Sequence, residues 1–378
     1  MRHLSLALAF VLSLMAVSAH AVDIPPPPAL ATKAYILRDF NSGNVIAQQS
    51  PHERIEPASL TKIMTAYLVF KALKNGYLKL DQTVPISNKA WKAEGSRMFV
   101  EPNKPVTVDE LLHGVIIQSG NDASIALAEG VAATEEAFAD LMNKEAARLG
   151  MKNSHFVNAT GLPDPQHYTT VYDLSLVAAA LIKDFPDQYK RLYSVKEYTY
   201  NKITQPNRNR LLWVDPHVDG MKTGHTESAG YCLVTSAKRN DTRLVSVVVG
   251  APSETARATE SQKLLNYGFQ YYETSLVYKK GQPVKSLKVW KGHNDMLAAT
   301  VANDLFLTLP KGQYAQVKAT VTSKQPLLAP INAGQTIGTI QFALNGKVIH
   351  QENLVAAENV EVAGIFGRLW DSIKLWFE

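Results

Sequence analysis

Hydropathy along this chain switches repeatedly between period two and period 3.6, and the order of those switches constrains the fold more than any other feature. Lys33–Asp39 and Val45–Ala47 read as strands, with Asn41-Ser42-Gly43-Asn44 between them as a hairpin turn. Pro57 then opens a helical pattern with Leu60, Ile63, Met64, Tyr67 and Leu68 on one face. Helical periodicity continues through Val108–Gln118, Asp122–Gly130, Glu135–Leu149 and Tyr172–Lys183. Strand character returns around residues 218–250, where Tyr231–Ala237 and Arg243–Val249 flank the turn Asn240-Asp241, and a helix follows at about 254–274. Strands, a block of helices, strands and a closing helix describe an α+β domain over residues 33–274. Its antiparallel sheet is assembled from both ends of the segment and packed by helices.

The pattern changes again near Thr274. From 275 to 359 the chain shows only short alternating runs such as Val317-Lys318-Ala319-Thr320-Val321, with a hairpin signature at Phe342–Ile349, so a second, small all-β domain is expected there. The two ends carry different signals. Residues 1–21 read as an export signal: Arg2 and His3, an apolar run from Leu4 to Val17, and small residues in Ala19-His20-Ala21. Residues 22–32 form a proline-rich spacer around Pro25–Pro28. The tail, 360–378, places Phe366, Leu369, Trp370, Ile373, Trp376 and Phe377 on one stripe of a helix. It is too short and too charged to span a bilayer, and a helix lying in a membrane interface is expected. Arg368 and Lys374 are cancelled by Asp371 and Glu378, so attachment would rest on apolar and aromatic burial.

Composition excludes several classes. The 378 residues are 46% hydrophobic and 19% charged, which is incompatible with a disordered chain. The net charge of +5 is spread along the sequence without a basic cluster, so no nucleic-acid partner is expected. One cysteine, Cys232, permits no internal disulfide or multi-cysteine zinc site and reads as an inert thiol in a buried strand. The histidines show no H-E-x-x-H pattern, and neither metal nor other cofactor is called for. An exported chain without an internal disulfide points to a bacterial envelope.

Three short motifs bear on chemistry. Ser59-Leu60-Thr61-Lys62 places a hydroxyl and an amine at i, i+3 on a helix start, where a lysine with a disfavoured charge can activate the serine. Alone, it reads equally as a helix-start serine and a solvated lysine. Ser119-Gly120-Asn121 lies between two helical patterns and offers a hydroxyl for proton transfer and an amide for holding a peptide. The same tripeptide at Ser42-Gly43-Asn44 is an ordinary turn. Lys222-Thr223-Gly224-His225 begins a strand pair; lysine and threonine there can bind a carboxylate, and Gly224 would let a substrate backbone approach. In isolation it is a polar turn.

In this order, S-x-x-K, S-x-N and K-T-G resemble the motif set of penicillin-binding proteins and serine β-lactamases. The longer runs Pro57–Lys62, Ser119–Ala123 and Asp219–Thr226 are most similar to low-molecular-mass D-alanyl-D-alanine carboxypeptidases, over essentially the whole chain. That resemblance implies a penicillin-binding/β-lactamase-like fold and an exported periplasmic enzyme attached peripherally to the inner membrane by its tail. It implies peptidoglycan pentapeptide ending in D-Ala-D-Ala as substrate and β-lactams as acylating inhibitors. Residue by residue it assigns Ser59 as nucleophile, Lys62 as base and Ser119 as proton carrier. Asn121 would position the peptide, Lys222 and Thr223 would engage the terminal carboxylate, and the backbone N–H groups of Ser59 and His225 would form an oxyanion hole. Arg208 and Arg257 fall near the carboxylate, although each also reads as ordinary surface charge. The alternatives are an endopeptidase of cross-links, a β-lactamase and a catalytically silent wall-binding scaffold. Class A β-lactamases use a glutamate to activate the deacylating water, and the corresponding stretch Asn158–Gln166 has none.

Overall fold

The computed structural model describes residues 24–377, so the expected export signal lies outside the described residues. The first domain is built on a five-stranded antiparallel sheet of β1 (Ala34–Asp39), β2 (Val45–Gln49), β3 (Val218–Thr226), β4 (Gly230–Arg239) and β5 (Thr242–Ala251), in the order β2-β1-β5-β4-β3. The two N-terminal strands therefore join the three later ones through β1–β5, where Leu37 pairs with Ser246. Side chains alternate across the pleat. Ile36, Val234, Val245 and Val247 enter a core shared with the helical block, whereas Leu37, Leu233, Leu244 and Val248 enter the opposite core. That second core is closed by Leu264 and Leu265 of α6 (Glu254–Tyr271). With both faces covered, the inner strands are apolar almost throughout.

The helical block comprises α1 (Lys62–Lys74), α2 (Val108–His113), α3 (Asn121–Ala132), α4 (Glu135–Arg148) and α5 (Val171–Asp184), together with shorter turns. Threonine or serine caps set several starts: Thr107 and Glu110 form a reciprocal capping box on α2, and Thr170 and Ser253 cap α5 and α6. Residues 62–70 of α1 are all buried, the mark of a central helix surrounded by protein. The helix expected over 108–118 is α-helical only to His113; Gly114–Gln118 close it with a π turn. The helix expected to 274 ends at Tyr271, where the chain turns extended.

The second domain holds β6 (Tyr272–Tyr278), β7 (Pro283–Trp290), β8 (Met296–Val301), β9 (Leu305–Pro310), β10 (Val317–Ser323), β11 (Leu327–Leu328), β12 (Thr336–Leu344) and β13 (Lys347–Ala356). They form a six-stranded sheet β10-β12-β13-β8-β7-β11 and a β6–β9 pair around a separate core that includes Leu297, Ile340, Phe342 and Leu354. The turn at Ser42 proves to be more than a hairpin tip. Ser42 and Thr274 each share a hydroxyl hydrogen bond with Thr308 (2.6 and 2.8 Å), and Thr274 donates to the fully buried Asp39 carboxylate (2.7 Å), joining the domains.

The tail forms α7 (Ile365–Lys374), followed by a turn that carries Trp376 and Phe377. It is tied down through its polar side: the Lys291 N–H donates to Asp371 Oδ2 (2.6 Å), and Ala363 N–H to Lys291 O (2.8 Å). The apolar stripe faces outward, with Phe366, Trp376 and Phe377 more than four-fifths exposed. Among the described residues no helix is long and apolar enough to cross a membrane.

Candidate active site

Ser59 does not sit in α1 itself. It lies in a 3-10 turn, Ala58–Thr61, that leads into the helix. Side chains three apart eclipse in such a turn, so the spacing still aligns Ser59 with Lys62. Ala58 holds a positive φ of 47°, an unfavourable geometry for a residue with a Cβ, maintained by close packing. Gly161 (φ +82°) packs against it; a Cβ there would stand 1.8 Å from Ala58 O.

Lys62 is buried, and its Nζ has three neighbours: Thr160 O at 2.6 Å, Asn121 Oδ1 at 2.7 Å and Ser59 Oγ at 3.0 Å. The first two are pure acceptors. The Asn121 amide is oriented by its other end, which donates from Nδ2 to Glu94 O (2.6 Å). A neutral amine has two N–H groups and one lone pair. With both N–H groups committed to carbonyl oxygens, the lone pair is left facing the one neighbour that can donate, the Ser59 hydroxyl. Burial lowers the Lys62 pKa to about 7, and the Arg208 charge pushes the same way against the opposing pull of Asp122 and Glu135. The amine is thus substantially unprotonated near neutral pH.

Ser119 follows the π turn and adopts a left-handed conformation (φ 61°, ψ 32°), and Asn121 starts α3. Asp122 ties this corner to a neighbouring loop, its carboxylate accepting N–H bonds from Met98 (2.9 Å), Phe99 (2.8 Å), Val100 (3.2 Å) and Ala123 (2.9 Å). The Asn121 N–H donates to Ser96 O (2.7 Å). Asn121, expected to hold a substrate peptide, therefore has both ends of its amide engaged by the protein and acts on Lys62.

The third motif lies on β3, the free edge of the sheet. Lys222 is buried, with Nζ donating to Ser119 Oγ (2.9 Å) and to Thr223 O (2.9 Å), so it supports the Ser119 hydroxyl. Burial, followed by the charges of Lys62, Arg208 and Arg257, holds its pKa well below the usual lysine range. Gly224 also has a packing role inside the protein. A Cβ there would meet Pro57 O and Leu60 Cγ at 3.2 Å, so the missing side chain lets β3 pack against the Ser59 turn. The exposed His225 ring lies 4.1 Å from that of Tyr231. Ser59, Ser119, Thr223, Gly224, His225, Arg208 and Arg257 line one cavity of about 220 Å³. Arg257 reaches it from α6, its Nη1 donating to Gly224 O (3.3 Å). The tail residues lie outside this site. Cys232, in β4, has its thiol pushed up to about 11 by burial, as an inert core cysteine should.

Comparison with known sequences bears directly on this arrangement. Residues 21–253 match the peptidase S11 family, described as D-alanyl-D-alanine carboxypeptidase, and residues 272–362 match the penicillin-binding protein 5 C-terminal domain. The chain belongs to the peptidase S11 family. It is 45% identical to the D-alanyl-D-alanine carboxypeptidase DacC of Escherichia coli over 93% of this chain and 89% of that one. It is 41% identical to DacA of Haemophilus influenzae over 97% and 96%. Among solved structures, penicillin-binding protein 5 from Haemophilus influenzae superposes with a TM-score of 0.87 at 41% identity, covering 89% of this chain and 99% of that one. Penicillin-binding protein 6B from Escherichia coli gives 0.73 at 33% identity. The expected fold, with a catalytic-type α+β domain followed by a β domain, agrees with these matches.

Several site residues were not singled out from sequence. Thr160 acts through its carbonyl and Glu94 through its own, so neither side chain type is informative. Asp122 directly follows Ser119-Gly120-Asn121 and is the one with a signal, a carboxylate in the first turn of a helix that is otherwise uncharged up to Glu129. Ser96 and Glu254 reach the cavity from segments far apart in the chain.

Proposed function

We propose that the protein is a serine-type D-Ala-D-Ala carboxypeptidase that removes the terminal D-alanine of peptidoglycan pentapeptide through an acyl-enzyme on Ser59. The observation that carries this reading is the Lys62 amine, held by two carbonyl oxygens with its remaining valence toward Ser59 Oγ at 3.0 Å. Lys62 takes the hydroxyl proton as Ser59 attacks the carbonyl between the two D-alanines. Backbone N–H groups of Ser59 and His225 receive the developing oxyanion. Ser119, backed by Lys222, passes a proton to the departing amine, while Thr223, Arg208 and Arg257 attract the terminal carboxylate. Water then cleaves the ester, releasing the shortened peptide and restoring Ser59. Trimming of this kind limits the supply of pentapeptide donors for cross-linking.

A β-lactam presents a strained cyclic amide to the same serine in place of the peptide bond. Incubation with benzylpenicillin should add one drug mass to the protein, map to the peptide containing Ser59 and persist for many minutes. Rapid turnover without a trapped mass would instead identify a β-lactamase. The export signal at residues 1–21 and the outward-facing stripe of α7 support a periplasmic location with peripheral attachment to the inner membrane. Phe366, Leu369, Trp370, Ile373, Trp376 and Phe377 would enter the lipid interface.

A further inference from the structure

A single carboxylate stands on the wall of the cavity that holds Ser59 and Ser119. Among the described residues lining it, Glu254 is acidic, and Arg208 and Arg257 are basic. Glu254 is the first residue of α6, directly after Ser253, whose Oγ accepts the Ala256 N–H at 3.0 Å. The partial positive charge of the helix start favours a carboxylate there. Its Oε1 lies 3.8 Å from Arg257 Nη2 and its Oε2 lies 3.4 Å from Arg210 Nη2. Arg257 is buried and further held by Gly224 O, whereas the Glu254 and Arg210 side chains are at least half exposed and can move. The Glu254 charge also opposes the effect of burial on the Arg208 guanidinium. The mechanism above gives Glu254 no role, yet it sits among the groups that would meet a terminal carboxylate.

We propose that Glu254 is a built-in counter-ion for Arg208 and Arg257 that sets how tightly the site holds a peptide's terminal carboxylate and the D-alanine released from it. The proposal rests on the carboxypeptidase reading given above. Two arginines without any compensating charge would retain small carboxylates, including the product. Glu254 competes with the incoming carboxylate for Arg257, so substrate binding is moderated and product leaves readily. The pair is long and half exposed, which limits the coupling to about two- to fivefold in affinity.

The test is Glu254→Gln, assayed with an acyl-D-Ala-D-Ala peptide, with the same peptide ending in D-alaninamide, and with added D-alanine as inhibitor. The KM for the carboxylate peptide and the inhibition constant of D-alanine should both fall about two- to fivefold, with a much smaller change for the amide. Arg210→Gln, which frees Glu254 to lean on Arg257, should move both constants the other way. Equal changes for both peptides, or weaker D-alanine inhibition in Glu254→Gln, would show that Glu254 merely props the arginines and would overturn the proposal. If the unsubstituted protein releases no D-alanine, the carboxypeptidase reading fails instead. Calorimetric titration of D-alanine into both proteins then decides the Glu254 question by itself, with tighter binding to the variant supporting it and equal or weaker binding refuting it.

Discussion

Replacing Lys62 by methionine should change the stability of this protein in a strongly pH-dependent way. The amine is buried and its pKa is lowered to about 7, against 10.5 for an ordinary lysine. Between those values the unfolded chain binds a proton that the folded protein lacks, so stability rises with pH across that window. The cost of burying the amine is complete below about pH 7 and absent above about pH 10.5. At 1.36 kcal/mol per pKa unit, the unsubstituted protein should gain about 4 kcal/mol between pH 6 and pH 10 from this group alone. The methionine variant cannot make that gain. It also leaves Thr160 O and Asn121 Oδ1 without their donor, a loss of about 1–3 kcal/mol each. Those losses are common to all pH values and cancel when the stability gap is compared between two pH values. Lys222 adds to the effect, because removing the Lys62 charge relieves some of its own depression and so reduces the variant's remaining gain with pH. Urea titrations of both proteins from about pH 6 to pH 10 measure the gap directly. A gap that shifts toward the unsubstituted protein by about 3–4 kcal/mol supports the assignment. A gap constant to within about 1 kcal/mol would mean that Lys62 is not held neutral near pH 7, and its role as base would fail.

Other substitutions probe the framework. Asp122→Asn leaves one acceptor oxygen for four backbone N–H groups and brings an NH₂ against some of them. Thermal unfolding should register a loss of about 2–4 kcal/mol, with acylation by benzylpenicillin slowed at least about tenfold. Gly161→Ala sets a Cβ against Ala58 O at a positive φ, so penicillin acylation should collapse even where circular dichroism shows retained helix. The acylation rate of the unsubstituted protein should rise with pH around pH 7 as Lys62 loses its proton, and a flat profile would contradict the proton path. Removal of residues 364–378 should release the protein from sedimenting membranes, whereas unchanged sedimentation would count against the tail as anchor.

Much of the fold was legible because its periodicities are clean. The short apolar runs in Lys33–Asp39 and Arg243–Val249 mark strands, and the inner strands stay apolar because helices cover both faces of the sheet. The places where sequence reasoning departs from the structure cluster at the site. Ser119 needs a left-handed backbone and a π turn before it, and nothing in Gly114–Gln118 distinguishes that turn from continued helix. Gly224 reads as room for a substrate, and the structure adds that its lack of a side chain accommodates the protein's own turn. Asn121 has the side chain for binding a peptide, and only its hydrogen-bond partners show that it also grips Lys62. Backbone carbonyls such as Thr160 O leave no trace in residue type. Glu254, Arg208 and Arg257 meet Ser59 only because β3 brings its edge against the turn before α1, a contact between segments some 160 residues apart.

The central claim is that Ser59, activated by Lys62, cleaves the bond between two terminal D-alanines. Free D-alanine released from a muramyl-type peptide ending in D-Ala-D-Ala tests it most directly, with the purified protein and its Ser59→Ala form compared side by side. Release by the first and none by the second is the predicted result. Equal release by both would place the chemistry on another group, and no release from a folded, unsubstituted protein would contradict the carboxypeptidase account.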